Sequence, residues 1–496
     1  MTRRAQTIGE LFQLAVARHA DREAIIFREL TWSYAELAAH VNAACQLLPA
    51  LAQGRLQRVA IIGANHPGYV VGYFAAQLLG AATIEIGRDE TLDGVLATLA
   101  ASQADVILTD RPDILAAARI PAIGFEPFLE RCAQMRSTPA DHDEADRQRP
   151  ELASIVYTSG TTGAPKGVML SHANVLFVVY AVCEYLELSA ADRYALVLPM
   201  AHTYGKSNLL SCVASGAAVV FVENPQNSAA FYGWMMRQRC TVLSVVPFHL
   251  NVLARMGIPD GIDLGSLRAI TTSGGPLPES AVRAVEELLP GAWLYSMYGL
   301  TESSTRVTYL PPELLMSKRG SVGRALPGVS VEIRNAEGDA LPPGVVGHVY
   351  VAGPNVMQGY LGDPELTAQT LVDGWLNTGD VGYVDSDGCL FLTGREKEII
   401  KVAGERISPA EIEEVLLRHP AVAEAAAVGV PDALLGETVW AYVKGSADIV
   451  DFGDIAAFCA AHLSAHKVPR RFIETDQIPR TPTGKIRRHL LRSALA

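Results

Sequence analysis

The segment from residue 157 to 167, YTSGTTGAPKG, holds the densest set of residues that could do chemistry in this chain. Its glycines would let the backbone approach a polyanion, its hydroxyl groups could donate hydrogen bonds, and its lysine adds positive charge. These residues are Gly160, Gly163 and Gly167, then Thr158, Ser159, Thr161 and Thr162, and Lys166. The pattern predicts a loop that cradles phosphate.

This loop does not match the Walker A pattern. That pattern, GxxxxGK[ST], opens a helix, whereas here Pro165 precedes Lys166 and residues 168–171 (VMLS) predict a strand. A flexible glycine and threonine turn is the plain structural alternative. The number of hydroxyl groups within so short a segment favours phosphate binding.

The loop resembles the phosphate-binding loop of the adenylate-forming superfamily, and this resemblance implies activation of a carboxylic acid by ATP. Two anions must meet, because a carboxylate oxygen attacks the α-phosphorus while pyrophosphate leaves. Magnesium and positioned cations offset that repulsion, and each such group typically contributes several kcal/mol to stabilising the transition state. The sequence supplies Lys485 as a candidate cation and Glu302 as a candidate ligand for magnesium.

Five further segments, in order along the chain, resemble motifs of the adenylate-forming superfamily, which includes the acyl-CoA synthetases. Together with YTSGTTGAPKG they cover most of the chain. The segments are SGGP at residues 273–276, YGLTE at 298–302, WLNTGD at 375–380, GREKEIIK at 394–401 and PTGK at 482–485.

The resemblance implies a site for ATP and Mg²⁺. It implies that Tyr298 stacks on adenine, that Asp380 binds the ribose diol, and that Lys485 bridges carboxylate and α-phosphate as a mobile catalytic lysine. Lys166 and Glu302 are implied catalytic residues, and Thr161 and Glu302 the metal ligands. The implied ATP-binding set is Thr158, Ser159, Gly160, Thr161, Thr162, Gly163, Lys166, Gly274, Gly275, Tyr298, Gly299, Thr301, Asp380, Arg395 and Lys485.

Each of these residues also has a plain structural interpretation. Lys485 is near Arg487 and Arg488 and would alone be a solvated lysine in a basic tail. Asp380 could be a turn residue, and Tyr298 a core aromatic residue. Arg395 could form a surface ion pair, and Glu302 could begin a helix. The joint occurrence of the motifs favours the functional interpretation.

Transfer of the acyl group is the second implied step. The resemblance predicts a pivot at Lys397, which would replace Lys485 at the nucleotide by a face around Gly404, Glu405 and Arg406. On that face a pantetheine thiol, from coenzyme A or from a separate carrier protein, would attack the acyl adenylate.

The acid itself is predicted only in outline. The segment MAHTYG at residues 200–205 resembles a wall of the acyl pocket, so His202 is a candidate pocket residue together with Ser273 and Gly299. Lys206 follows directly, and a buried ammonium group needs a partner. One hypothesis is that Lys206 meets a polar or anionic group of the substrate, and the alternative is that it points to solvent. The segment lacks the aspartate that holds an α-amino group in peptide-synthetase domains, which favours a non-amino acid.

The elements that position these residues alternate between strand and helix in the first half of the chain. Residues 59–62 and 82–86 are apolar runs on either side of helical spacing at 67–79, and 105–108 is a further strand candidate. Residues 137–150 indicate an exposed loop. Near the C-terminus, Ser408, Pro409 and Glu411 predict a capped helix that ends near Arg418, followed by a strand at 439–443 and a helix at 455–463.

These elements predict an α/β protein. By the resemblance, residues 1–394 form a large adenylation domain of helix-covered sheets with a small β-barrel-like subdomain, and residues 395–496 a small mobile α+β domain.

Composition excludes several classes of protein. The 496 residues are 49% hydrophobic and 19% charged, which is typical of a globular fold. With 41 basic and 53 acidic residues the net charge is −12, so general binding to nucleic acid is not expected. The seven cysteines form no CxxC pair, and no apolar stretch is long enough for a membrane span. A cytoplasmic enzyme is therefore expected.

The sequence thus predicts an AMP-forming carboxylate ligase that delivers its acyl group to coenzyme A or to a carrier-protein pantetheine. Two alternatives remain at this point. A P-loop NTPase or kinase would release ADP, and a non-catalytic relative would bind nucleotide without turnover.

Overall fold

The computed structural model describes residues 4–52, 54, 56–135, 151–158, 166–223, 228–403, 405–432, 434–446, 451–480 and 486–493. For residues 158, 228, 406, 489 and 493 it describes the backbone alone.

Strands in the described residues form three sheets. In chain order they are β1 Glu23–Phe27, β2 Leu30–Ser33, β3 Arg58–Gly63, β4 Ala82–Gly87, β5 Val106–Thr109, β6 Ala122–Gly124, β7 Leu152–Thr158, β8 Lys166–Ser171, β9 Arg193–Leu196, β10 Ala218–Phe221, β11 Val242–Val245, β12 Ala269–Thr272, β13 Trp293–Tyr298, β14 Thr308–Leu310, β15 Ser321–Ala325, β16 Ser330–Arg334, β17 Gly347–Ala352, β18 Gly359–Tyr360, β19 Leu371–Val372, β20 Trp375–Val384, β21 Leu390–Arg395, β22 Ile400–Val402, β23 Glu405–Ile407, β24 Val422–Asp432, β25 Gly436–Gly445 and β26 Arg471–Glu474.

Helices cover these sheets. They are α1 Ile8–His19, α2 Tyr34–Ala52, α3 Pro67–Leu78, α4 Leu92–Ser102, α5 Pro112–Ala117, α6 Phe125–Gln134, α7 His172–Tyr185, α8 Thr203–Ser215, α9 Ser228–Arg237, α10 Pro247–Met256, α11 Glu279–Leu288, α12 Pro364–Thr370, α13 Pro409–Leu417, α14 Phe452–His462 and α15 Arg488–Ser493. Short 3₁₀ helices span Thr301–Ser303 and Pro312–Leu314.

The first sheet has the order β18-β8-β7-β4-β3-β5-β6. Strands β6, β5, β3, β4 and β7 run parallel, and β8 and β18 complete the sheet antiparallel. The predicted strand, helix and strand at residues 59–86 are confirmed as β3, α3 and β4. Every residue of α3 is buried, which explains why its sequence is apolar all round rather than on one face.

The second sheet combines a parallel half with an antiparallel half. Strands β1, β10, β9, β11, β12 and β13 run parallel. From β13 the sheet continues antiparallel through β14, β15, β21, β20, β17 and β16. The helix-covered sheets and the appended antiparallel strands agree with the predicted fold class.

A five-stranded sheet of β22 to β26 forms the last part of the chain. The predicted helix after Ser408 is confirmed as α13, but the predicted capping box is wrong: the Ser408 side chain accepts no cap hydrogen bond. Glu411 instead accepts from Lys467, with Nζ 2.6 Å from Oε1. The division between residues 394 and 395 stays a prediction, and it lies at the end of β21.

No helix in the described ranges combines the length and apolarity needed to cross a bilayer. All seven cysteines lie in the described part of the chain and carry free thiols.

Candidate active site

The motif segments after β12 and β13 lie at the same edge of the second sheet. Both strands are parallel and in register, with Thr272 opposite Ser296, so the segments that leave their carboxyl ends are neighbours. Ligands of parallel α/β sheets bind outside this edge. SGGP follows β12 directly, where Ser273 is buried and Gly274 and Gly275 are exposed. This position suits the predicted ATP-binding role of Gly274 and Gly275.

YGLTE folds back sharply at Gly299. A Cβ atom at this position would lie 2.1 Å from the carbonyl oxygen of Thr305, so only glycine fits. The chain then forms the 3₁₀ helix Thr301–Ser303, which carries Glu302. Gly299 therefore fixes the position of Glu302 relative to Tyr298.

Tyr298, Asp380 and Arg395 form a cluster in which Tyr298 and Asp380 are buried and the Arg395 side chain is 41% exposed. The Tyr298 hydroxyl donates to Oδ2 of Asp380 at 2.5 Å, and Arg395 Nε lies 3.0 Å from Oδ1. Asp380 and Arg395 lie directly opposite each other on β20 and β21. Burial raises the pKa of Tyr298 well above its ordinary value, and the neighbouring Asp380 raises it further. Asp380 raises the pKa of Arg395, so the guanidinium and carboxylate form an ion pair.

This cluster leaves Asp380 able to bind a further group. An ionised carboxylate has about four acceptor positions, of which these contacts use two. Ribose binding by Asp380 and stacking of adenine on Tyr298 stay predictions. The structure adds that the Tyr298 ring is only 7% exposed and is held by its own hydroxyl.

Glu302 lies beside the described end of the phosphate loop. Tyr360, on β18, donates its hydroxyl to Oε1 of Glu302 at 2.9 Å. Nζ of Lys166, the first residue of β8, lies 5.5 Å from the centroid of the Tyr360 ring. Burial and the carboxylate of Glu302 raise the pKa of Tyr360. Sequence reasoning missed Tyr360, because a tyrosine in a short strand carries no motif signal.

The donor set around Glu302 fits Mg²⁺ bound together with ATP. Within the described ranges no three His, Cys, Asp or Glu side chains cluster as a self-contained metal site. Mg²⁺ usually takes only one or two protein carboxylates beside substrate phosphates. The partly exposed Glu302 can supply one such oxygen.

Several predicted site residues lie outside the described residues or have undescribed side chains. Ser159, Gly160, Thr161, Thr162, Gly163, Gly404 and Lys485 belong to the first group, and Thr158 and Arg406 to the second. Among the others, Thr301 is half-buried in the 3₁₀ helix, and Glu405 is exposed on β23. Lys397 is exposed and lines a cavity of about 420 Å³ between β21 and the last sheet.

The candidate acyl pocket begins at α8. His202 occupies the N-cap position of this helix and is half-buried. A cavity of about 10 Å³ lies beside the first turn and is lined by Thr203, Lys206 and Ser304 among others. It has room for about one water molecule. Substrate contacts by His202, Ser273 and Gly299 stay predictions.

Lys206 is the one candidate whose predicted surroundings are wrong. Its side chain is 3% exposed, and Nζ lies 2.7 Å from Oε2 of Glu85, which is fully buried. Ser154 Oγ accepts a second hydrogen bond from Nζ at 3.0 Å. Lys206 therefore neither points to solvent nor needs a substrate anion, because Glu85, on β4 of the first sheet, already pairs with it.

Two family models match most of the chain. The model of the AMP-binding enzyme family matches residues 12–361, and that of the AMP-binding enzyme C-terminal domain matches residues 411–485.

Two curated relatives align over nearly the whole chain. Indoleacetate–CoA ligase of Aromatoleum aromaticum is 34% identical, covering 97% of each chain. 2-Succinylbenzoate–CoA ligase of Bacillus mycoides is 31% identical, covering 95% of each. A similar solved structure, o-succinylbenzoate CoA synthetase from Bacillus subtilis with its acyl-adenylate intermediate, has a TM-score of 0.85 at 29% identity, covering 97% of each chain.

Proposed function

The chain belongs to the family of AMP-binding enzymes, and from that membership we propose that it is an ATP-dependent ligase joining a non-amino carboxylic acid to coenzyme A. In the first half-reaction a carboxylate oxygen of the acid attacks the α-phosphorus of ATP, and the bond to pyrophosphate breaks. In the second, the thiol sulfur attacks the acyl carbon, AMP leaves, and the thiol proton passes to solvent.

The observation that carries the proposal is that residues of separate motifs meet in space. Tyr298, Asp380 and Arg395 come from three strands and contact one another through the Asp380 carboxylate. Glu302, four residues beyond Tyr298, accepts a hydrogen bond from Tyr360, and the Tyr360 ring lies beside Lys166. These contacts support a nucleotide site with Asp380 as the diol acceptor, Lys166 as a cation and Glu302 as a carboxylate for Mg²⁺.

Charge compensation is the task of these groups. Glu302 would hold Mg²⁺ in part, and the ion would supply positive charge to offset the negative charge of the phosphates. Lys166 and Lys485 are proposed to offset the remaining negative charge, Lys485 from the last domain. Arg395 orients Asp380 through their ion pair, so that its free acceptor positions face the ribose.

Coenzyme A is proposed as the acceptor because both curated relatives named above are CoA ligases. The residues around Lys397 and Glu405 would then form the pivot and the thiol-binding face. A carrier-protein pantetheine is the other acceptor that the chemistry allows. The P-loop kinase alternative is dropped, since the family match and the relatives are AMP-forming ligases.

The first experiment measures acid-dependent exchange of labelled pyrophosphate into ATP, with a panel that includes aromatic and aliphatic acids. We expect exchange with some acids and AMP as the nucleotide product. Addition of free coenzyme A should then yield a thioester. ADP release, or no exchange with any acid by folded protein, contradicts the ligase. Exchange with no thioester from coenzyme A, but with one from a pantetheinylated carrier protein, contradicts the proposed acceptor.

A second experiment tests Lys485. Replacing Lys485 by Ala should lower the rate of pyrophosphate exchange by about 100-fold or more, because one cation at the developing charge is lost. Lys467→Ala is the matched control, since that lysine pairs with Glu411 in the same part of the chain. Equal effects of the two substitutions contradict the proposed role.

A further inference from the structure

Arg306 is a fully buried cation without a carboxylate partner. Its relative exposure is 0%, and no described Asp or Glu lies within 4.0 Å of its guanidinium. Arginine stays protonated in proteins, and an unpaired buried ion costs several kcal/mol. A group that the structure does not contain would therefore offset a real energetic cost at this position.

The contacts of Arg306 hold its guanidinium in place without neutralising it. Nη1 donates to the carbonyl oxygen of Thr305 at 3.1 Å and to its Oγ1 at 3.3 Å. Nε donates to the Tyr185 hydroxyl at 3.3 Å, and the guanidinium carbon lies 4.3 Å from the centroid of the Tyr204 ring. Nη2 is buried and has no hydrogen-bond partner among the described residues. Two N–H groups of a positioned cation are thus left to bind an acceptor.

A second unpartnered donor lies in the same buried region. Nδ2 of Asn208, on α8, has no partner within the described part of the chain. Its Oδ1 accepts from the Tyr194 hydroxyl at 3.2 Å. Burial lowers the pKa of Arg306, but the hydroxyls of Tyr185, Tyr204 and Tyr194 raise it above the ordinary value. Tyr194 thus contacts Asn208 directly and acts electrostatically on Arg306.

Lys206, the other buried cation among the described residues, shows the kind of partner that Arg306 lacks there. Lys206 and Arg306 are the two buried cationic side chains in the described residues. Lys206 has Glu85 at 2.7 Å, whereas Arg306 has only neutral contacts. The fold therefore supplies a carboxylate to one buried cation and leaves the other without one.

Arg306 also lies next to the candidate active site. It follows Glu302 by four residues, and the next residue, Val307, donates its backbone N–H to the Tyr298 carbonyl at 2.8 Å. Tyr204, which stacks on the guanidinium, belongs to the first turn of α8 just after His202. The guanidinium of Arg306 thus lies between the first turn of α8 and the segment that carries Tyr298 and Glu302.

We infer that Arg306 binds a second carboxylate of the acid that the enzyme activates, so that the substrate is a dicarboxylic acid with one end adenylated and the other buried against Arg306. This inference rests on the proposed ligase activity. The incoming carboxylate accepts hydrogen bonds from Nη2 and forms the ion pair that the fold lacks.

The experiment compares matched pairs of acids that differ by one carboxylate: pentanoate with glutarate, and phenylacetate with its 2-carboxy and 4-carboxy derivatives. The measured quantity is kcat/KM for AMP formation by wild-type enzyme, Arg306→Met and Arg306→Lys. We expect wild type to prefer at least one dicarboxylic acid over its partner. Arg306→Met should lower kcat/KM for that acid by about 10- to 100-fold, because a hydrogen-bonded ion pair is lost. It should leave the monocarboxylic acid unchanged or improved, and Arg306→Lys should lie between.

Stability distinguishes binding from a structural role. Replacing an unpaired buried charge by an apolar side chain of similar length should raise the Tm of the ligand-free enzyme. Arg268→Met is the matched control, since Arg268 has a carboxylate partner in Asp192 at 2.8 Å. That variant should lower Tm and leave the preference among acids unchanged.

Three outcomes overturn the inference. One is a wild-type enzyme that activates acids without any preference for the second carboxylate. Another is an Arg306→Met enzyme that loses activity equally toward both members of a pair. The third is a pair of Arg306 variants that both fail to fold, which assigns the guanidinium a structural role. Absence of exchange with every acid in wild type contradicts the ligase proposal itself and is thereby distinguished from these.

Discussion

Replacing Lys206 by Met should destabilise the enzyme without changing its choice of acid. The two side chains of the Lys206–Glu85 pair are 3% and 0% exposed, so each charge depends on the other. Burial lowers the pKa of Lys206, and Glu85 opposes that shift. Removing the ammonium leaves the Glu85 carboxylate with two hydroxyl partners, Thr83 Oγ1 at 2.5 Å and Ser154 Oγ at 3.1 Å.

The size of the effect follows from the geometry. At the 2.7 Å separation of Nζ and Oε2, an effective dielectric constant of 20 gives an attraction of about 6 kcal/mol. Desolvation of the two ions offsets part of this attraction. Breaking such a pair from one side typically costs about 3–5 kcal/mol, whereas replacing both partners costs much less. We therefore expect Lys206→Met to lower the free energy of unfolding by about 3–5 kcal/mol. The double variant Lys206→Met with Glu85→Gln should recover most of that loss.

The assay is a double-mutant cycle by urea unfolding, with pyrophosphate exchange over the acid panel measured on each variant. Glu85→Gln alone should also destabilise, because it leaves the ammonium unpaired. The order of preference among acids should match that of wild type in every folded variant. A stable Lys206→Met enzyme with an altered order of preference would refute the assignment of Lys206 to a structural pair and restore its contact with substrate.

Three further predictions concern other described residues. Burial lowers the pKa of His172 from 6.5 to about 4, so as pH falls the unfolded chain binds a proton before the folded chain does. The free energy of unfolding should therefore fall by up to about 3 kcal/mol between pH 6.5 and pH 4. Urea titrations of His172→Asn should lack this pH-dependent loss. Gly299→Ala, which sets a Cβ against the carbonyl of Thr305, should lower kcat/KM for ATP by about 100-fold as Glu302 is displaced; an unchanged value contradicts the tight turn. Tyr298→Phe removes the hydroxyl that positions Asp380 and should raise the KM for ATP by about tenfold, and an unchanged KM would separate that hydrogen bond from nucleotide binding.

Local patterns predicted elements well where one physical cause dominates. The apolar runs of β3 and β4 with helical spacing between them gave the strand, helix and strand correctly, because these elements are buried on all sides. Helix α14 begins three residues before its predicted start, since Asp451 caps it by accepting from two backbone N–H groups. The expected cap at Ser408 failed because Glu411 is drawn to Lys467, which lies far along the chain. Tertiary ion pairs of this kind leave no local signal.

The candidate site also contains some residues that the sequence predicted and others that it did not. Motif resemblance identified Tyr298, Asp380 and Arg395 as residues that belong to one site, and the structure brings them together. It gave no indication of the partner of Lys206, because Glu85 precedes it by 121 residues and lies on strand β4, whereas Lys206 lies on helix α8. Arg306 also escaped notice, since an arginine in the polar run SSTRVT has the composition of an exposed loop. Its burial follows from tertiary contacts with Tyr185 and Tyr204, which precede it by about a hundred residues or more.

The bond between Tyr298 and Asp380 joins the two halves of the second sheet. Tyr298 ends the parallel half, whereas Asp380 belongs to the antiparallel half, and three strands, β14, β15 and β21, separate β13 from β20 in the sheet order. The registers of these three strands therefore set the distance between Tyr298, the candidate adenine-binding residue, and Asp380, the candidate ribose-binding residue. At Gly323 of β15 a Cβ atom would lie 2.0 Å from backbone atoms of Tyr309, so this strand can approach β14 closely only without a side chain there. The three strands between β13 and β20 thus determine whether the two halves of the candidate site meet. Curvature of the sheet brings the Asp380 carboxylate on β20 back to the Tyr298 hydroxyl on β13.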